Sequence, residues 1–345
     1  MITLFLDFPR RPVILKVSFT LFEYHAEGGL SMKDGCGRSI DYLRLSVTDL
    51  CNYRCRYCMP ESGVEKRPHG AILSIEELAE IARAAVGLGV TKIRLTGGEP
   101  LVRKGILDLC RQLRSTPGLK ELCLTTNGSL LPELAKPLRD AGVDRLNISL
   151  DTLRPDRFAA MTRRGTLEDV LAGIRAAEEV GFEHLKLDTV LIGGFNDDEI
   201  TDFVGLTENH PWEVRFIELM PMGPCAAWDK SCFLPGTTVL EHCPDLQVLS
   251  AEGVARRYQF PGAPGTVGLI SPVSHDFCGE CRRIRVTADG KLKSCLHSRE
   301  EIALRGLHGE DLTEAIRRGI LQKPQHHHLT ERPSDTPRNM NQIGG

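Results

Sequence analysis

Between Tyr42 and Leu219 the sequence changes its period repeatedly. Short runs rich in Leu and β-branched residues alternate with longer stretches of helical spacing. The runs are YLRLSV (42–47), KIRLT (92–96), ELCLTT (121–126), RLNISL (145–150), LKLDTVLI (185–192) and EVRFIEL (213–219). The stretches read as helices: from Ser74 to about 86, 103–114, near 131–140, from Thr166 to Gly181, and near 197–207. Ser74 and Glu77 form a capping box at the first, which Gly87 and Gly89 stop. Parallel strands need long crossovers, and helices provide them. Six β–α units in succession therefore predict a parallel sheet with helices outside it. Six falls short of the eight of a closed barrel, so an open, partial (βα)6 barrel of TIM type in the α/β class is expected.

These strands are unusual in carrying charge. Strands of parallel sheets are normally near-continuous apolar runs, because both faces are buried. Here Arg44 sits between Leu43 and Leu45, and Lys92 and Arg94 flank Ile93. Lys186 lies between Leu185 and Leu187, and Arg215 between Val214 and Phe216. Side chains alternate faces along a strand. The apolar face must meet the helices, so the basic face points inward. Pairing with Asp or Glu at strand ends explains any one of these charges easily. Five on four strands point instead to an anionic occupant of the lumen.

The loop after the first strand, DLCNYRCRYCMP, holds Cys51, Cys55 and Cys58. Structural zinc takes four protein ligands. Three thiols suit a metal centre that keeps one position open. A second set of three follows in CGECRRIRVTADGKLKSC: Cys278, Cys281 and Cys295. On its own this second set also fits zinc, completed by His275 or His297. Between its members Arg283 and Arg285 share one face of a strand, and ADG turns a hairpin. Arginine is the usual bidentate partner of phosphate, so this strand reads as part of a ligand pocket. The cysteines at 36, 110, 123, 225, 232 and 243 have no tight spacing and read as packing or surface residues. His326, His327 and His328 read as a solvated tail.

Composition narrows the class. The chain has 345 residues, 41% hydrophobic and 26% charged, with a net charge of −3. No global basic field suggests nucleic acid, and no apolar run reaches the roughly 18 residues of a membrane span. Twelve cysteines in such a chain suggest metal chemistry in a reducing, cytoplasmic setting. Residues 1–31 fit poorly with the rest. Arg10-Arg11 before apolar residues is a weak match to an export signal, and a disordered extension or a true start at Met32 is the expectation.

Together these segments resemble a known family. The C-x-x-x-C-x-x-C loop with Tyr57 before its third cysteine resembles the radical S-adenosylmethionine signature. YLRLSVTDLCNYRCRYCMP, KIRLTGGEPLVR, LTTNG, LNISLDTL, VRFIELMPMG, FCGECRRIRVTADGKLKSCL and the final NQIGG, in this order, resemble the GTP 3′,8-cyclase family, molybdenum cofactor biosynthesis protein A. The resemblance runs from about Met32 to Gly345. It implies a [4Fe–4S] cluster on Cys51, Cys55 and Cys58 that binds S-adenosylmethionine. It implies a second [4Fe–4S] cluster on Cys278, Cys281 and Cys295 that meets the guanine of GTP. It implies S-adenosylmethionine contacts at Tyr57, Gly98, Ser149 and Met220, with Thr125 beside them and counted among the GTP contacts. Arg44, Lys92, Arg94, Lys186, Arg215, Arg283 and Arg285 would bind GTP, chiefly its triphosphate. Gly344 and Gly345 would enter the site, acting there with Arg283 and Arg285.

The implied reaction is abstraction of the ribose 3′ hydrogen of GTP by a 5′-deoxyadenosyl radical, then closure onto C8 of guanine. The expected division is an extension (1–31), a radical S-adenosylmethionine barrel (32–224), a C-terminal second-cluster region (225–330) and a tail (331–345). Expected partners are an electron donor such as a flavodoxin or ferredoxin, a downstream cyclic pyranopterin monophosphate synthase, and a second copy of the chain as a homodimer. No nucleic acid or membrane partner is expected. The competing readings are another radical enzyme with an auxiliary cluster and a metal-binding protein without turnover.

Overall fold

A computed structural model describes residues 5–6, 13–14, 22–25, 29–65, 67–250, 254–329 and 334–344. The expectation for residues 1–31 falls largely outside them. The barrel begins with β1 (Tyr42–Ser46) and continues through β2 (Lys92–Thr96), β3 (Glu121–Thr126), β4 (Arg145–Ser149), β5 (Lys186–Leu191) and β6 (Glu213–Glu218). All six pair in parallel in sequence order. The outer face is the apolar one. Leu43 and Leu45 on β1, and Ile93 and Leu95 on β2, are fully buried against the helices.

The crossovers are the expected helices. In α1 (Ile75–Gly87) the Ser74 hydroxyl accepts from Glu77 N at 3.1 Å, and Ser74 N donates to the Glu77 carboxylate at 2.7 Å. Leu78, Ile81, Ala82 and Ala85 form its buried stripe. The others are α2 (Ile106–Arg114), α3 (Leu131–Asp140), α5 (Leu167–Glu179), capped by Thr166, and α6 (Ile200–Asn209). The extra helix α4 (Pro155–Thr162), with Pro155 in its first turn, precedes α5.

The C-terminal region extends this sheet. Strand β7 (Gln247–Ser250) pairs antiparallel with β8 (Arg256–Gln259), which pairs antiparallel with β9 (Thr266–Ile270). Strand β9 then runs parallel to β6. At the other edge β10 (Arg283–Val286) runs parallel to β1 and turns back into β11 (Lys291–Lys293), which meets β12 (Ile302–Ala303). The sheet order is β7-β8-β9-β6-β5-β4-β3-β2-β1-β10-β11-β12, and among the described residues its two edges are unpaired. Eight consecutive strands are parallel, yet the barrel stays open.

This topology has a consequence for the site. Strands β9 and β10 are neighbours in sequence but lie on opposite sides of the six-strand array. Residues 271–282 must cross between them, and they carry Cys278 and Cys281. Glu218, at the end of β6, anchors the start of this crossing. One oxygen accepts from Val273 N and Ser274 N, both at 2.9 Å, and the other accepts from Gly236 N at 2.7 Å. Helix α7 (Gly309–Leu321) then packs on α1, and a last short helix, α8 (Met340–Ile343), lies near the C-terminus. Among the described residues no helix is long and apolar enough to cross a membrane.

Candidate active site at the mouth of the open barrel

A single cavity lies at the C-terminal ends of the strands. Both cysteine sets line it. The first set sits on the loop after β1, which backbone contacts hold. Arg54 N donates to Thr162 O at 2.9 Å and Arg56 N to Met161 O at 3.0 Å. Arg163 donates to Arg54 O at 2.9 Å from a left-handed backbone, φ 57°. Gly98 packs against the same loop. A Cβ there would stand 2.3 Å from Leu50 O, so the loop leaves room for glycine alone. Beside it, buried Glu99 accepts from Thr126 Oγ1 at 2.8 Å, Asn127 N at 2.7 Å and Leu101 N at 3.0 Å. Burial pushes its carboxyl up to about 7 despite those donors.

Tyr57 is positioned by a residue that motif reading missed. Its hydroxyl donates to Asp151 Oδ2 at 2.9 Å, while Asp151 Oδ1 accepts from Val190 N at 2.9 Å. Burial pushes Asp151 up to about 6. Ser149 and Met220 line the cavity. Buried Cys225 also lines it, with Sγ 3.1 Å from Met222 O.

The second set comes from the crossing segment and from the residue two past β11. Arg38 ties this region together through Cys278 O and Pro324 O, both at 2.7 Å. Burial opposes ionisation of Cys281, but Arg283 and Lys323 outweigh it and bring the thiol down to about 6. His327 also faces the cavity, edge-on to His297 at 5.2 Å. The expected solvated character of the histidine run does not extend to it.

The thiols fit clusters better than single ions. A tetrahedral zinc with Zn–S near 2.3 Å brings its sulfurs within roughly 4 Å of one another. Among the described residues neither triad draws its three sulfurs within 4.8 Å, and the one group that close is Asp276, Cys278 and His326. Burial pushes Cys51 up to about 11 and Cys58 up to about 12, and raises Cys55 as well. Thiolates at those positions need a positively charged centre to take their charge.

The inward cations divide into two groups. Lys92 pairs with Glu121 at 2.5 Å, Lys186 with Glu213, and Arg215 with Glu213 at 2.7 Å and Asp188 at 3.4 Å. Arg94 donates to the Tyr42 hydroxyl and to Asn147 Oδ1, both at 2.6 Å. These four lie outside the cavity lining, on strands whose inner face also carries acids that balance them. For Lys92, Lys186 and Arg215 the carboxylate pairing weighed from the sequence describes the structure.

Arg44, Arg283 and Arg285 form the other group, and with Thr125 they line the cavity. Among the described residues none of the three has a carboxylate partner. Arg44 and Arg285 face each other across the register of β1 and β10. Arg44 Nε is buried without a hydrogen-bond partner, and Arg283 stands over the Phe277 ring at 5.1 Å. Burial, then Arg44 and Arg283, pull the Arg285 pKa well below the usual guanidinium range. Crowded together, with Arg285 buried and Arg44 and Arg283 half-buried, and without carboxylate partners among the described residues, these cations make a seat for a polyanion.

The C-terminus reaches the same place. Asn341 donates to Asp49 O at 2.9 Å, and Arg285 donates to Gly344 O at 2.5 Å and Ile343 O at 3.3 Å. Gly344 has φ 67°, and a Cβ there would stand 2.2 Å from Thr96 Oγ1. Gly345 lies outside the described residues.

Comparison with known proteins agrees with this geometry. Residues 45–207 match the radical SAM superfamily model, and residues 212–329 match the model for Molybdenum Cofactor Synthesis C. The chain is 47% identical to GTP 3′,8-cyclase of Alkaliphilus oremlandii (strain OhILAs), over 91% of this chain and 100% of the relative. It is 52% identical to GTP 3′,8-cyclase of Peptoclostridium acidaminophilum, over 90% and 98%. Among solved structures, Streptococcus suis SuiB bound to precursor peptide SuiA has a similar fold. The TM-score is 0.62 at 12% identity, covering 90% of this chain and 76% of SuiB. With both halves matched and relatives this close over nearly their whole length, the chain belongs to the GTP 3′,8-cyclase family of radical SAM enzymes.

Proposed function

We infer that this chain converts GTP to (8S)-3′,8-cyclo-7,8-dihydroguanosine 5′-triphosphate, the first step of molybdenum cofactor biosynthesis. Relatives of that name support the activity. The observation that carries the reading to this chain is the meeting of two cysteine triads and three unneutralised arginines in one cavity. Cys51, Cys55 and Cys58 would hold one [4Fe–4S] cluster, and Cys278, Cys281 and Cys295 the other. When bound, these clusters and S-adenosylmethionine supply the one-electron cleavage and the 5′-deoxyadenosyl radical that takes the ribose 3′ hydrogen.

The chain's own residues bind, orient and shield. Tyr57, held by Asp151, with Gly98, Ser149 and Met220, forms the S-adenosylmethionine side of the cavity. Arg44, Arg283 and Arg285 take the triphosphate, and Thr125 lies between the two sides. Lys92, Arg94, Lys186 and Arg215 act from below, where Glu121, Glu213 and Asp188 balance three of them, and they hold the inner face of the strands on which the cavity rests. The tail at Gly344 covers Arg285 and narrows access of water to the site. The finer assignments of partner are an electron carrier such as a flavodoxin or ferredoxin, a cyclic pyranopterin monophosphate synthase that takes the product, and assembly as a homodimer in the cytoplasm.

The test is direct. Reduced, reconstituted protein is incubated with GTP and S-adenosylmethionine, and 5′-deoxyadenosine and the cyclised nucleotide are measured. Formation of 5′-deoxyadenosine without any GTP-derived product would point to another radical enzyme. Colourless protein holding zinc would point to a binding protein.

A further inference from the structure

We propose that Arg338 is the positioning residue that seats the C-terminal tail, through a clamp that joins the tail to both cysteine loops. Its guanidinium is held by two carboxylates at once. Nε and Nη2 donate to the two oxygens of Glu301 at 2.6 and 2.7 Å. Nη1 and Nη2 donate to the two oxygens of Asp289, both at 3.1 Å. The Arg338 side chain is only 12% exposed. A paired fork in such a place is far stronger than a solvated ion pair.

The clamp continues in both directions. Asp289 also accepts from Arg67 at 2.7 Å, and Arg67 faces Asp49 at 3.3 Å. Asp49 precedes Cys51 by two residues, and its carbonyl accepts from Asn341 of the tail at 2.9 Å. On the other side Glu301 faces Lys293 at 3.6 Å. Lys293 is fully buried, precedes Cys295 by two residues, and donates to Thr336 of the tail at 3.3 Å. Three cations and three carboxylates therefore alternate from one cysteine loop to the other, with the tail's Arg338 at the centre. Six residues further on, Gly344 meets Arg285. Chain ends normally fray, because ordering them costs backbone entropy. Arg338 supplies the anchor that lets these last residues stay in the cavity.

The proposal rests on the family reaction only where activity is read. Wild type, Arg338→Gln and Arg338→Lys are reconstituted, and release of C-terminal residues by carboxypeptidase is followed by mass spectrometry. Arg338→Gln should keep the iron of both clusters while its tail is digested about tenfold faster. Arg338→Lys should fall between, because an ammonium cannot bridge two carboxylates bidentately. In turnover, Arg338→Gln should raise KM for GTP more than it lowers kcat. A synthetic peptide of residues 334–345 should restore product formation, and the same peptide with the Arg338→Gln change should not. Equal digestion rates in wild type and variant overturn the proposal. Loss of second-cluster iron in Arg338→Gln also overturns it, making Arg338 a structural support of the Cys295 region. If Arg338→Gln does not fold, Glu301→Gln is digested in its place, and unchanged protection has the same force. If tail protection changes while wild type makes no cyclised product, the clamp stands and the family reaction fails.

Discussion

Arg285 on β10 donates to the carbonyl oxygen of Gly344 at 2.5 Å, across a separation of 59 residues. A buried guanidinium with no carboxylate partner among the described residues is thus met by the backbone of the chain's own end. Carbonyl dipoles neutralise a cation only in part, so Arg285 keeps capacity for an anion. In the proposed function the tail and the triphosphate would converge on this one residue.

Gly344→Ala should abolish most turnover while leaving both clusters in place. The left-handed backbone at φ 67° costs a non-glycine residue roughly 1–2 kcal/mol. A Cβ 2.2 Å from Thr96 Oγ1 adds a clash that only a shift of the tail can relieve. Deleting Gly344 and Gly345 should act in the same direction. Iron content, soluble yield and the rate of cyclised product check this, and full activity in either variant would make the tail a bystander.

Arg285→Ala should weaken GTP binding by about 1.5–3 kcal/mol, the range for hydrogen bonds to charged groups. S-adenosylmethionine binding should change much less, because Tyr57, Gly98 and Ser149 lie on other elements. Calorimetric titration of each ligand separates the two. Equal weakening of both would mean that Arg285 supports the fold of the cavity.

About eight irons per chain should be found after reconstitution, from two four-iron clusters. Cys278→Ser should halve that number and lose the GTP product, yet keep some cleavage of S-adenosylmethionine. Cys51→Ser should lose cleavage altogether. Tightly bound zinc at either set would contradict the assignment.

Much of this site was legible because it rests on local pattern. The capping box at Ser74, the six strands and the hairpin after Arg285 are short-range features, and they appear where the spacing put them. The division of the cations was not legible. Lys186 and Arg44 look alike in sequence, each a base between leucines. Only the parallel register sets Glu213 beside Lys186 and Arg285 beside Arg44. The same holds for Asp151, Glu218 and Arg338, whose partners lie tens of residues away along the chain. Glu99 had a local signal, an acid directly after two glycines that pack on the cysteine loop, but its burial depends on β3. Strand β9 was missed because TVGLI is short and carries a glycine, and nothing local shows that it joins β6.

The pH response of the clamp follows from Asp289. Burial works against its charge, but hydrogen bonds from Arg338 and Thr287 outweigh burial and hold its carboxyl down to about 2. A folded-state pKa below the unfolded value means that the carboxylate stabilises the fold at any pH above about 4. That contribution fades only as pH falls from about 4 toward 2. Across pH 6 to 8 it should be constant. Asp289→Asn should therefore lower the unfolding free energy of the reconstituted enzyme by roughly 1–2 kcal/mol after allowance for solvent screening. The loss should be the same at pH 6 as at pH 8. Denaturant unfolding of wild type and variant at both values checks the sign as well as the size. A loss that appears at pH 8 but not at pH 6 would mean that Asp289 takes up its proton near neutrality, and that the Arg338 fork does not hold it ionised.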